Sequence, residues 1–271
     1  MANIIKYSEK IAEDKYSGSS EIIRKFLQKL SECNPTREQM RKSFDILIDA
    51  HPDMTIFKSV CRILCNIPED GISTASQEIL NSLESAPVKI GEHLAKRLPE
   101  KSIVMTYSRS GTVGKALTKV NEINKLGGIV LSESRPDLEG RDFAKFFTEH
   151  DIQVTLTIDC ALGSLIEGVD AIVVGADAVT PDYIVNKIGT VQLTLLANYF
   201  DKPIYALTST HKFTKSAEPK KIASPKSVWE NAPTGIFVQS PLFEKVPLAL
   251  LTAVICERGP VGVDEIKMIL E

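Results

Sequence analysis

The hydrophobic pattern changes its period once along the chain. From the N-terminus to about residue 97, apolar residues recur three or four positions apart, as they do on one buried face of a helix. Ile22, Ile23, Phe26, Leu27 and Leu30 form one stripe, with Ser20 placed to cap it. Pro35-Thr36 opens a second, with Met40, Phe44, Leu47 and Ile48 on one face, and His51-Pro52-Asp53 breaks it. Met54, Phe57, Val60, Cys61 and Leu64 make a third before the turn signal Pro68-Glu69-Asp70-Gly71. Ile79, Leu80 and Leu83 mark a further helix, and Val88 to Leu98 another. All of these read as core faces.

From Lys101 onward short apolar runs alternate with helical ones. Ile103–Tyr107, Ile129–Leu131, Val154–Ile158, Ala171–Val174 and Ile204–Thr208 read as five strands, with helices between them. This alternation predicts an open, mostly parallel sheet covered by helices on both faces. In the tail, Ile236-Phe237-Val238 reads as short and extended, Pro241 to Val246 as a surface loop, and Leu248 to Cys256 as buried. A last helix carries Val263, Ile266 and Ile269.

Composition narrows the function classes. The net charge of −3, from 32 basic and 35 acidic residues, argues against a dedicated nucleic-acid or membrane binder. The basic run Lys212 to Lys226 reads as a solvated loop. No apolar run has the length of a signal peptide core or a membrane span, and the five scattered cysteines suit reduced thiols in the cytoplasm. No metal-ligand spacing, dinucleotide fingerprint or Walker loop is present, so neither a metal nor a cofactor is expected.

Chemistry-bearing residues gather at the predicted strand ends. Asp177 follows Gly175-Ala176 at the carboxyl end of the fourth strand, where parallel sheets place their ligands. Asn186 and Lys187, read as lying at a helix start, add an anion site. Ser108-Arg109-Ser110-Gly111, Glu133-Ser134-Arg135-Pro136, Asp159-Cys160 and Ser209-Thr210-His211 end the other strands. Hydroxyls, arginines and carboxylates suit an anionic, hydroxyl-rich ligand, because arginine grips phosphate in a bidentate fork. Each has a plainer reading. Arg135 would pair with Glu133 or Glu139, Asp159 would cap the helix beginning at Ala161, and Cys160 would be a small buried filler.

The order of segments resembles a known family. Ser17-Gly18-Ser19-Ser20, Thr106 to Ser110, SESRPDLEG (132–140), TIDCALG (157–163), VGADAV (174–179), NKIGT (186–190) and LFEKVP…ERG (242–259) are similar to blocks of the translation initiation factor 2B α, β and δ subunits. Their archaeal relatives, and the isomerases of ribose 1,5-bisphosphate and methylthioribose 1-phosphate, share those blocks. The resemblance implies an N-terminal helical domain (1–99), a C-terminal Rossmann-like domain (100–271), and a homodimer or higher homo-oligomer. It implies a phosphorylated sugar or a nucleotide as ligand, with initiation factor 2 subunits as candidate protein partners. Carried over by position, Asp177 matches the catalytic aspartate, Asn186 and Lys187 the ligand-binding pair, and Gly18-Ser19 a turn that approaches phosphate.

Two positions depart from the isomerase pattern. Ser108 stands where those enzymes carry a catalytic cysteine, and a hydroxyl without a partner base is a poor replacement for a thiol, whose pKa of about 8.5 can be tuned towards neutrality. His51 stands where they carry an arginine. The expectation is therefore a family member that binds a phosphorylated ligand and protein partners without the isomerase chemistry. The alternative is an active isomerase using Asp177 with Ser108, Cys160 or water, and on either reading Arg109 and Arg135 are candidate ligand-binding groups.

Overall fold

The computed structural model describes residues 4–14 and 17–270. Five helices come first: α1 (Ile4–Ala12), α2 (Ser19–Ser31), α3 (Arg37–Ala50), α4 (Thr55–Cys65) and α5 (Ile72–Ala95). The stripes read from the sequence bury Ile22, Phe26, Met40, Phe44, Phe57 and Leu64 in one cluster. Phe26 meets Phe44 edge-on at 4.9 Å between ring centroids. Thr36 starts α3 with a reciprocal capping box to Gln39.

Two expectations fail here. Ser20 does not cap α2: the helix begins at Ser19 after an extended Gly18, and no side chain caps it. The two helices read around Ile79 and from Val88 are one, with Pro87 inside it. An interior proline forfeits a hydrogen bond, but Leu80 and Leu83 on one side and Ile90 and Leu94 on the other are buried, so packing holds the helix through it. The first part of α5 packs with the helical cluster, and Ala86 to Leu98 packs with the sheet.

The second half runs β1 (Ser102–Tyr107), α6 (Gly111–Glu122), β2 (Leu126–Ser132), α7 (Glu139–Thr148), β3 (Val154–Thr157), α8 (Leu162–Leu165), β4 (Ala171–Gly175), β5 (Ala178–Val179), β6 (Tyr183–Lys187), α9 (Thr190–Tyr199), β7 (Ile204–Leu207), β8 (Phe243–Pro247), β9 (Ala253–Cys256), β10 (Gly259–Val261) and α10 (Val263–Leu270). The main sheet has seven strands in the order β3-β2-β1-β4-β7-β9-β10, all parallel except β10. Successive strand residues alternate between two cores. Val104, Ala171 and Val173 pack with α5 and α6 on one face, while Met105, Ile172 and Val174 pack with α9 and α10 on the other. Helices on both faces of a mostly parallel sheet are what the pattern predicted.

A second sheet, β5-β6-β8, is antiparallel and was not foreseen. Residues read as the turn and helix start after Asp177 form β6, and most of the segment read as a surface loop forms β8. Asn186 pairs with Glu244 and Lys187 with Phe243, partners far apart in sequence that no local periodicity reveals. Ile236-Phe237-Val238 forms no strand, and Phe237 is exposed.

Candidate functional site

Asp177 leaves β4 two residues after Gly175, and its amide donates to Val185 O at 2.8 Å. Its carboxylate accepts the Ser19 hydroxyl at 2.9 Å and faces Lys212 Nζ at 3.5 Å. Lys212 also donates to Ala176 O at 2.9 Å, and Thr55 Oγ1 donates to Asp177 O at 2.9 Å. The first turns of α2 and α4 thus reach the carboxyl edge of the sheet. Lys212 is only 5% exposed, which corrects its reading as part of a solvated loop. The available signal was its place immediately after the strand end Ser209-Thr210-His211, beside the apolar Phe213.

Ser108 closes β1 with φ at +63°, a left-handed conformation that a residue with a side chain adopts only where its surroundings hold it. Its amide donates to Ser134 Oγ at 3.0 Å, and its hydroxyl donates to Glu139 Oε1 at 2.8 Å. Lys187 Nζ reaches the same Glu139 oxygen at 2.8 Å and Asp137 at 3.3 Å. The hydroxyl therefore has a carboxylate partner, which the sequence did not disclose. Glu139 Oε2 is buried with no hydrogen-bond partner among the described residues.

Asn186 and Lys187 lie on β6 rather than at a helix start, and both are buried. Asn186 donates to Thr190 Oγ1 at 3.0 Å, and Thr190 donates to Lys187 O at 2.6 Å. Gly189, at φ +100°, makes the turn into α9, and a Cβ there would stand 2.6 Å from the Tyr107 hydroxyl. That hydroxyl donates to Ile188 O at 2.7 Å, and burial pushes its pKa up. Gly175 is small for a comparable reason: a Cβ would come within 2.8 Å of Ser110 Oγ.

The remaining candidates border this group: Gly18 precedes Ser19, Arg109 follows Ser108, and Asp159 meets Ser134, whose hydroxyl accepts the Ser108 amide. Arg135 is exposed and donates to Ser227 O at 2.8 Å; Glu133 pairs with Arg141 and Glu139 with Lys187, so neither expected partner is taken. Asp159 caps no helix; its carboxylate accepts the amides of Ser134 and Arg135 at 2.8 and 2.7 Å. Cys160 is exposed rather than a buried filler, and it follows the edge strand β3, with β2 and β1 between that strand and β4. Arg109 is exposed near α2, where it joins Lys25 and Ser17 in lowering the Glu21 pKa against burial. Gly18 is exposed, and a Cβ there would meet open space. Asp53 accepts the amides of Lys220 and Lys221 at 2.7 and 2.6 Å. His51 is buried against Phe57. No cluster of His, Cys, Asp or Glu among the described residues could hold a metal ion, and no described helix is long and apolar enough to cross a membrane.

Two carboxylates, each paired with a buried lysine, thus occupy one sheet edge: Asp177 with Lys212 and Glu139 with Lys187. Carboxylates can carry protons, and lysines can hold an anion. The ribose 1,5-bisphosphate isomerase of Archaeoglobus fulgidus is 28% identical, over 96% of this chain and 90% of its own length. Among solved structures, the translation initiation factor eIF-2B of Pyrococcus horikoshii gives a TM-score of 0.81 at 20% identity, covering 96% of this chain and 97% of its own. The 5-methylthioribose 1-phosphate isomerase of the same organism gives 0.74 at 21%, covering 99% and 88%. At these identities the structural likeness is one of fold. The model of the initiation factor 2 subunit family matches residues 5–262, and the chain belongs to that family.

Proposed function

We propose that the protein is a sugar-phosphate aldose–ketose isomerase acting on a phosphorylated pentose of the ribose 1,5-bisphosphate type. The observation that carries this reading is the Asp177 carboxylate, held by Ser19 and Lys212 at the sheet edge beside the buried Asn186 and Lys187. Asp177 would move a proton at the reacting carbons or their oxygens, and Lys187 would hold phosphate. The 28% identical Archaeoglobus isomerase supports it. The case for a non-catalytic ligand binder rested on Ser108 in place of a cysteine and His51 in place of an arginine; the Glu139 carboxylate hydrogen-bonded to Ser108 answers the first of these.

The test is direct. Purified protein is incubated with ribose 1,5-bisphosphate and, separately, methylthioribose 1-phosphate, and the ketose is followed by ¹³C and ³¹P NMR. Appearance of a ketose supports the proposal; absence of conversion of both, with binding retained, returns the protein to a ligand-binding role. The same reading takes it as a cytoplasmic homo-oligomer, for which the exposed Leu195 and Tyr199 of α9 supply an apolar surface. Light scattering of the pure protein checks that.

A further inference from the structure

Isomerisation at a carbon that carries phosphate on its anomeric oxygen needs two kinds of proton transfer. The bond from C1 to the ring oxygen breaks and that oxygen gains a proton, while the C2 hydroxyl loses one. The C2–H proton also leaves, and C1 gains a proton. C2 is oxidised to a ketone as C1 is reduced, so no external oxidant or reductant enters. Transfers at oxygen and at carbon lie on different atoms, and one carboxylate at Asp177 does not reach both with equal geometry.

The site offers few other groups. Lys212 and Lys187 are engaged with carboxylates. The Ser108 hydroxyl is an alcohol, too weakly acidic to cycle protons near neutral pH unaided. Glu139 differs in having one oxygen occupied, by Ser108 and Lys187 at 2.8 Å each, and one oxygen free. That free Oε2 is buried and has no partner among the described residues. A buried acceptor left unmatched is costly, and such groups in a native fold call for a ligand, a water or a chemical role. Ser108, held in its left-handed conformation, fixes the rotamer of the carboxylate it touches.

We infer that Glu139 is a second catalytic residue of the proposed reaction, its Oε2 taking the proton from C2 and returning it to C1, while Ser108 positions it. The assignment rests on the isomerase reading above, in which Asp177 serves the oxygens. Lys187, which pairs with Glu139 at 2.8 Å, then holds the ligand's phosphate beside the carboxylate.

The test compares Glu139→Gln and Ser108→Ala with the wild type on ribose 1,5-bisphosphate. Glutamine keeps the side chain's size and a carbonyl acceptor for Ser108 but cannot take up a proton. For E139Q the expectation is a kcat lower by about 100-fold or more with KM changed by less than about threefold. Its residual turnover slows further when C2 carries deuterium. Loss of position alone makes S108A the milder variant, with kcat lower by about tenfold. An E139Q enzyme within about threefold of wild-type kcat overturns the assignment, as does S108A losing as much as E139Q. Should E139Q fail to fold, Glu139→Asp replaces it, and an effect on KM greater than on kcat overturns the assignment. A wild type that converts no substrate removes the isomerase reading itself; active wild type with active E139Q removes only Glu139.

Discussion

Ser19 and Asp177 are 158 positions apart and share a hydrogen bond of 2.9 Å, donated by the serine. The first turn of a helix in the N-terminal half therefore helps orient the carboxylate at the sheet edge. Asp177→Asn keeps the shape and removes the charge, and turnover should fall by about 100-fold or more while calorimetry still detects ligand binding. Ser19→Ala removes one donor and leaves Lys212, so it should cost about 1 kcal/mol of stability and a smaller part of kcat. Urea unfolding and steady-state kinetics measure both.

Lys212 is buried between Asp177 and the carbonyl of Ala176. Lys212→Met keeps the apolar stem and leaves both acceptors short of a partner. The expected loss is about 2–3 kcal/mol, less than for a fully buried pair because the Asp177 side chain keeps partial access to water. A midpoint shift in urea unfolding at constant slope checks it.

Gly175 tests whether the sheet edge tolerates any side chain. In Gly175→Ala the new methyl group would lie 2.8 Å from Ser110 Oγ, the oxygen that accepts the Val113 amide at the start of α6. Either the cap or the strand end must move, at a cost of about 1–3 kcal/mol. A melting temperature equal to that of the wild type would contradict this.

Acid should weaken the fold before any carboxylate titrates. Burial holds the pKa values of His51 and His211 below the ordinary value, reinforced by Lys221 at His51 and opposed by Glu257 at His211. In the unfolded chain both titrate near about 6.5, so as pH falls through that value the unfolded state takes up protons that the folded state refuses. Stability is then full above that pH and declines below it. Thermal melts from pH 7.5 to 5.5 should show the decline, with a shallower slope in His51→Gln.

Thiol labelling should separate the cysteines. Cys160 is exposed and should react first with a maleimide. Cys256 is fully buried, and burial also pushes its pKa up, so it should react slowest until the protein unfolds. Cys160→Ala should leave kcat and KM at wild-type values, since the edge strand places that thiol away from Asp177. Loss of turnover in C160A would reinstate it as a catalytic candidate.

What the sequence disclosed was local. The strand runs Ile103–Tyr107 and Ala171–Val174 are apolar on both faces, and that pattern needs no knowledge of partners. The position of Asp177 at a strand end follows from the same runs. Glu139, Lys212 and Thr55 were not recognised as part of the site because their meaning depends on distant contacts. Ser108 and Glu139 are 31 positions apart, and Thr55 meets Asp177 across 122. Strand β8 reads as loop because its pairing with β6 spans more than fifty residues of chain, α9 and β7 among them, and no local pattern reveals so distant a partner.

Strand β6 has a ladder partner on each side, β5 and β8, at least along part of its length. A one-residue slip would exchange the sides on which Asn186 and Lys187 present their side chains. Main-chain pairing, rather than the ammonium group itself, therefore sets where the Lys187 side chain emerges. Charge and scaffold can be uncoupled at this position: Lys187→Met should abolish anion capture yet leave the amide-exchange protection of β6 intact. A site whose charge can be erased without erasing its framework is one whose ligand preference can change faster than its fold.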